Sequence, residues 1–389
     1  MSGWNISPKG RLILAFSAVI ACWAVQLGLS RRADRPTQSG RAIQVARGGR
    51  ISMDRCSRCH PGACEGGESV PHSRTLRAGN DPDVLALFAG HSYRRASDGP
   101  KVSFEERNGE LWMTSDSCPE SIRVDWMFGS GRHAMTPVSL MVNPNGATEL
   151  IEGGVSWFHG GVFGPTPGAS SAGARGIAAL GTPHDHPTTL ECFGCHVTEL
   201  RLDQGLVQPA GVVAGIGCER CHPGSERHAS SMEQGGPPLI ERWSDLTPLE
   251  SVNRCGECHR RADHLTREEL SPERPVLVRF ASIGLVMSRC FQGQESVRGI
   301  GKESRLDCMT CHDPHHPGTD STAATLTTCT NCHGSRPEQT RSCSSPQSTA
   351  DCLGCHMPAV NVTEDLVLTD HWIRPRTAAD PPVAKPRHR

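Results

Sequence analysis

The sequence predicts a mainly α-helical and irregular fold carrying a small antiparallel β insert at about residues 98–165. Three observations predict it. A five-residue unit, Cys-x-x-Cys-His, occurs seven times in 389 residues. Aromatic residues are only 4 % of the chain, with a single tyrosine, while Gly and Pro number 41 and 29. Such a chain is rich in turns and poor in the side chains that build a core. Finally, the long gap after the first unit holds alternating segments around an Asn-Gly pair, the strongest short-range hairpin signal.

The seven units are CSRCH (Cys56, Cys59, His60), CFGCH (Cys192, Cys195, His196), CERCH (Cys218, Cys221, His222), CGECH (Cys255, Cys258, His259), CMTCH (Cys308, Cys311, His312), CTNCH (Cys329, Cys332, His333) and CLGCH (Cys352, Cys355, His356). With 19 Cys and 19 His, random placement gives about 0.05 copies, so seven are not accidental. The spelling is the attachment signature of c-type haem. Two thiols one turn apart reach the two vinyl groups on one ring edge, and the His that follows reaches the iron as the proximal ligand. Zinc is the competing reading of paired cysteines, but zinc does not require His directly after each second Cys. Seven covalent haems c are therefore expected, and they are expected to form much of the core.

At the N-terminus, Lys9 and Arg11 precede an apolar run over 12–29, closed by Arg31 and Arg32. That run suits either a short membrane anchor or a secretory signal; Cys22 also sits in a loose lipoprotein-like box. Each reading puts the remaining chain on the periplasmic side of the cytoplasmic membrane, anchored or secreted. Residues 33–50 are polar and form a linker. The net charge is −1, which gives no global field for nucleic acid or anionic lipid.

The first unit stands alone in a segment, 51–190, that also holds the β insert. Its hairpins are expected at 101–107 with 110–115, and at 137–142 with 147–151; a further strand is expected at 155–158. The other six units crowd into 191–375 as an array with little regular structure. Within it, 246–260 carries a helix start, with Pro248 early and acidic residues behind it. The Pro-rich stretch 376–389 is expected to be a disordered tail.

Twelve histidines remain once seven serve as proximal ligands. A six-coordinate haem needs one distal ligand, usually His or Met, and twelve suffice for bis-His ligation throughout. The distal set chosen is His72, His133, His186, His228, His264, His315 and His371. His184 is nearly equivalent to His186, and His316 to His315; His91 and His159 are reserves, and His388 lies in the tail. Met357 follows its own proximal His and cannot reach the opposite face. Cys64, Cys118, Cys290 and Cys343 lie outside the motifs and could form up to two disulfides or remain thiols.

Longer stretches carry a resemblance: FGSGRHAMT at 128–136, GGVSWFHGGVFGPTPG at 153–168, GIGCERCHPGSERH at 215–228, VRFASIGLVMSRCF at 278–291, CHDPHH at 311–316, and CHMP at 355–358 with DHWI at 370–373. They resemble the multihaem cytochrome c superfamily that includes the tetrahaem cytochromes of ammonia oxidisers, octahaem hydroxylamine oxidoreductases and pentahaem nitrite reductases. The resemblance spans about residues 51–375 and implies distal roles for His133, His228, His315 and His371. Around the first motif it departs, because CSRCHPGACEGGESVPHS is Gly-rich where the family carries a helix; the family's C-terminal helical repeats are also missing. The resemblance leaves two functions in play. One is electron transfer through bis-His haems between periplasmic redox proteins or a quinone-linked membrane complex. The other is an oxidoreductase acting on a small nitrogen or sulfur compound at one open haem. The CxxCK of the nitrite reductases is absent, and Tyr93 lies far from the C-terminal motifs where hydroxylamine oxidoreductases place their tyrosine. Electron transfer is therefore the favoured expectation, with no catalytic residue assigned.

Overall fold

The computed structural model describes residues 53–169, 173–266, 268–271, 274–294, 305–316, 322–333, 352–378 and 380–384. The apolar run at 12–29, with Cys22, lies outside the described residues, as do Cys343 and His388. All described residues belong to one compact unit.

Antiparallel sheet dominates the stretch between the first two motifs. Its strands are β1 (Leu76–Ala78), β2 (Ser92–Arg94), β3 (Lys101–Arg107), β4 (Glu110–Ser115), β5 (Cys118–Arg123), β6 (Trp126–Phe128), β7 (Ala134–Val142), β8 (Thr148–Gly153), β9 (Val155–Phe158), β10 (Val162–Pro165) and β11 (Gly181–His184). Strands β2-β3-β4-β5 make one sheet. A second runs β1-β6-β7-β8-β11, with β9 pairing β7 and β10 pairing β9. Two hairpins follow, β12 (Val197–Asp203) with β13 (Leu206–Ala214), and β14 (Ala359–Asn361) with β15 (Val367–Thr369).

The turn between β3 and β4 shows why the sequence folds this way. Asn108 and Gly109 have φ of 54° and 77°, the paired positive values that a two-residue type I′ turn requires. Arg107 then faces Glu110, and the register sends Val102, Phe104, Leu111 and Met113 to one buried face. Those residues join Val84, Phe88, Val124, Met127, Met135 and Ile151 in an apolar core.

The expected fold class is thereby corrected. The molecule is not mainly helical and irregular with a small insert at 98–165: strands run from Leu76 to His184, return at 197–214, and close the chain at 359–369. The sheets have a core of ordinary side chains, in which Phe88, Phe104, Leu111 and Leu180 are at most 1 % exposed. Only a few aromatics are needed because Val, Met and Ile fill the rest of the sheet core, a choice that a low aromatic content conceals.

A second apolar cluster joins the sheets to the second motif. Phe193, inside CFGCH, is fully buried with Leu76, Phe128, Val138, Leu150, Leu200 and Val207. The helix Pro248–His259, which ends in the fourth motif, starts with a capping box in which Thr247 and Glu250 satisfy each other's backbone N–H. Among the described residues, no helix is long and apolar enough to cross a membrane.

Candidate haem sites

Each described motif begins in a tight helical turn. The second lies at the end of the helix His186–Gly194, the third on Cys218–Cys221, the fourth on Pro248–His259, the sixth on Thr322–His333 and the seventh on Cys352–His356. The fifth opens a single 3₁₀ turn, Cys308–Thr310, and the first starts within the helix Met53–Ser57. Positions i and i+3 share a helix face, so both thiols point one way. The turn is then closed on the histidine, whose backbone N–H donates to the first cysteine's carbonyl in His60 (2.9 Å), His222 (2.8 Å) and His312 (3.0 Å).

Four motif histidines face a second imidazole. Ring centres are 6.3 Å apart for His60 and His228, 6.1 Å for His72 and His259, 6.1 Å for His222 and His315, and 6.2 Å for His312 and His371. The spacing is a test of fit. A metal–imidazole bond of about 2 Å on each face, plus about 1 Å from each nitrogen to its ring centre, places two axial rings about 6 Å apart. All four pairs meet that value.

The ring nitrogens fit as well. His186, His196, His356 and His371 each direct Nδ1 at a backbone carbonyl: Thr148 at 3.1 Å, Thr75 at 2.7 Å, Arg374 at 3.1 Å and Thr369 at 3.0 Å. A carbonyl only accepts, so Nδ1 carries the hydrogen and the neutral ring keeps its lone pair on Nε2. Burial holds His196 and His371 below the ordinary imidazole pKa, which keeps them neutral. His72 and His259 each keep an accessible edge, yet the protein around them also holds both below that value. Nδ1 of His228 is buried without a hydrogen bond among the described residues.

Cysteines of different motifs meet one another. Cys56 lies beside Cys218, Cys195 beside Cys258, and Cys255 beside Cys308. The motifs they belong to are the first and third, the second and fourth, and the fourth and fifth. Burial pushes the Cys192 and Cys221 thiols up to about 11. Attachment points far apart in sequence are thus neighbours in space. Among cysteines outside the motifs, Cys64 lies near Cys218, and Cys118 contacts Glu120.

The remaining histidines fall out as follows. His184 spends Nε2 on Glu152 at 2.9 Å, whereas His186 leaves that nitrogen free. His316 binds Asp313 at 2.9 Å, whereas His315 faces His222. His133, His186 and His264 are in no such ring pair, and neither are His196, His333 and His356. Instead, Phe128 stacks on His196 at 4.3 Å with planes 19° apart. Sequence reasoning missed Phe128 and the carbonyls of Thr75, Thr148, Thr369 and Arg374. A backbone oxygen has no signature in a sequence.

Comparison with known proteins gives two matches. The family model described as cytochrome c554 and c-prime matches residues 170–223, which hold the second and third motifs. The crystal structure of the outer cell wall cytochrome OcwA is similar with a TM-score of 0.50 at 15 % identity, covering 83 % of this chain and 79 % of that one. No curated protein matches the chain. Residues 170–223 thus match a cytochrome c family model, and the chain shares the fold of the outer cell wall cytochrome OcwA.

Proposed function

We propose that this cytochrome carries seven haems c and passes electrons along them between redox partners outside the cytoplasm. The observation that carries the reading is the set of four imidazole pairs at one spacing, with cysteines of different motifs close in space. Haem c, when bound, supplies a one-electron iron couple whose potential follows axial ligands, hydrogen bonds and burial.

The chain's own residues would do the rest. Cys56 and Cys59, with the corresponding pairs through Cys352 and Cys355, hold seven groups covalently. His60, His196, His222, His259, His312, His333 and His356 bind from the near face. His228, His72, His315 and His371 bind opposite His60, His259, His222 and His312, while His133, His186 and His264 serve the other three. Carbonyls bonded to Nδ1 fix ring orientation and make Nε2 more basic. Closing both axial positions leaves no room for substrate and lowers the potential relative to Met ligation. The first and third, fourth and fifth, and second and fourth motifs have neighbouring attachment points.

The partners are redox proteins or a quinone-linked membrane complex. The location is the periplasmic side of the cytoplasmic membrane, reached through the N-terminal apolar run. The likeness to an outer cell wall cytochrome supports a place outside the cytoplasm.

A haem assay on the mature protein, combined with its mass and an EPR spectrum, tests the reading. Seven haems, all low-spin when oxidised, are expected. Five or fewer haems overturn the count. A high-spin signal of one iron per chain that binds nitrite, hydroxylamine or sulfite favours the oxidoreductase instead.

A further inference from the structure

We propose that two helical glycines, Gly66 and Gly284, are positioning residues that seat the distal histidines His315 and His371. The inference rests on the ligand roles assigned above. It concerns what places these imidazoles at the required distance, for which backbone carbonyls are only part of the answer.

Gly66 lies in the helix Pro61–Ser69, directly after the first motif. A Cβ at this position would run into the carbonyl oxygen of His315, and would come within 3.0 Å of the His316 ring and 3.1 Å of the His315 carbonyl carbon. The helix that follows the first motif is thus pressed against the backbone of the residue that faces His222. Gly284 lies in the helix Ala281–Met287, where it is buried. A Cβ there would sit 2.7 Å from the Trp372 nitrogen, 2.8 Å from the His371 carbonyl carbon and 3.2 Å from the His371 Cβ. His371 is the residue that faces His312.

In both places the obstacle is backbone, which cannot swing aside as a flexible side chain can. Neither glycine needs a positive φ, so conformational freedom does not explain it. Glycine inside a helix costs about 1 kcal/mol relative to alanine, and close approach is the compensating gain. The contrast with nearby helical glycines is sharp. Gly62 and Gly67 in the first helix, and Gly293 in the helix Arg289–Gly293, have nothing within 4 Å of an added Cβ. The Gly-rich stretch after the first motif therefore contains one glycine that a ligand requires and others that it does not.

A displacement of about 1 Å matters because a metal–imidazole bond is only about 2 Å long and its geometry is strict. An alanine at 66 or 284 pushes the facing imidazole off its iron, while the thioether bonds are untouched.

The test compares Gly66→Ala and Gly284→Ala with Gly67→Ala and Gly293→Ala in the full-length, haem-loaded protein. His315→Ala and His371→Ala are run beside them. Covalent haem content, low-spin content by EPR, and titration with free imidazole are read for each. The expected result for Gly66→Ala and Gly284→Ala is an unchanged haem content with one haem per chain turned high-spin. Added imidazole restores the low-spin signal, and both control glycine variants resemble the unaltered protein. If His315→Ala and His371→Ala each unseat one haem while the two glycine variants keep full low-spin content, the glycine proposal fails and the ligand assignment stands. If the histidine variants change no haem, the assignment fails first. Loss of attached haem in both Gly66→Ala and Gly284→Ala would mark the glycines as structural only and would also overturn the proposal.

Discussion

The imidazole plane of His72 stands at 85° to that of His259, with ring centres 6.1 Å apart. His222 and His315 keep the same separation with planes only 12° apart. The angle between axial rings sets how unequal the iron d orbitals in the ligand plane become. Crossed rings leave them nearly equal and give a more axial low-spin EPR signal; parallel rings split them and give a rhombic one. Both kinds of signal are expected from the oxidised protein. His72→Ala should remove an axial component worth one haem, and His315→Ala a rhombic one. Loss of the same component in both variants would break the pairing.

Asp370 is only 4 % exposed and accepts hydrogen bonds from the Trp372 backbone N–H (3.0 Å), Arg374 (3.2 Å) and Arg376 (2.9 Å). Removing one partner of a buried charge cluster leaves the rest uncompensated. Asp370→Ala should therefore cost about 3 kcal/mol or more in denaturant unfolding. Because Asp370 adjoins His371, the variant should also show part of one haem as high-spin, which EPR measures in the same sample.

Phe193 anchors the second motif in the sheet core and is fully buried. Phe193→Ala should destabilise the protein by about 3–5 kcal/mol. The apolar neighbours Phe128, Val197 and Leu200 belong to the sheets, so the near-ultraviolet circular dichroism should be lost and the haem Soret band should shift in a single transition. Two separate transitions would mean that the sheets and the motifs unfold independently.

At the start of the helix that carries the fourth motif, Glu250 is held below the usual carboxylate pKa. The backbone N–H of Thr247 is the main cause, and the Thr247 hydroxyl adds to it. The folded state thus binds the proton less readily than the unfolded chain. The stabilisation is present above about pH 4.3 and is lost as pH falls through the folded value. Glu250→Gln should flatten the stability profile between about pH 5 and pH 3. Thr247→Ala should cost roughly 1 kcal/mol at neutral pH.

Much of this protein is legible in its sequence because covalent chemistry and turn chemistry are local. Five residues state where a haem attaches, and two residues, Asn108 and Gly109, state where β3 turns into β4. The expected helix start near Pro248 is likewise a local matter, and the structure places a helix from that residue to His259. The balance of sheet and helix was not legible. Strands of three or four residues, such as β1, β2 and β6, are too short to show a period. Their existence depends on partners far along the chain: Leu76 on Phe128, Ser92 on Ser103 and Trp126 on Val138.

The pairing of histidines was also beyond the sequence. His72 lies closer in sequence to His60 than to His259, yet it faces His259; His228 lies soon after the third motif, yet it faces His60. The sequence by itself determined which residues have the chemistry to bind haem, because the ability of a thiol or an imidazole to bond belongs to the residue. Only the tertiary structure decided which imidazole opposes which, and through which glycine or carbonyl it is held there. Opposition across about 6 Å is a relation between distant backbones, and such a relation exists only once they have packed.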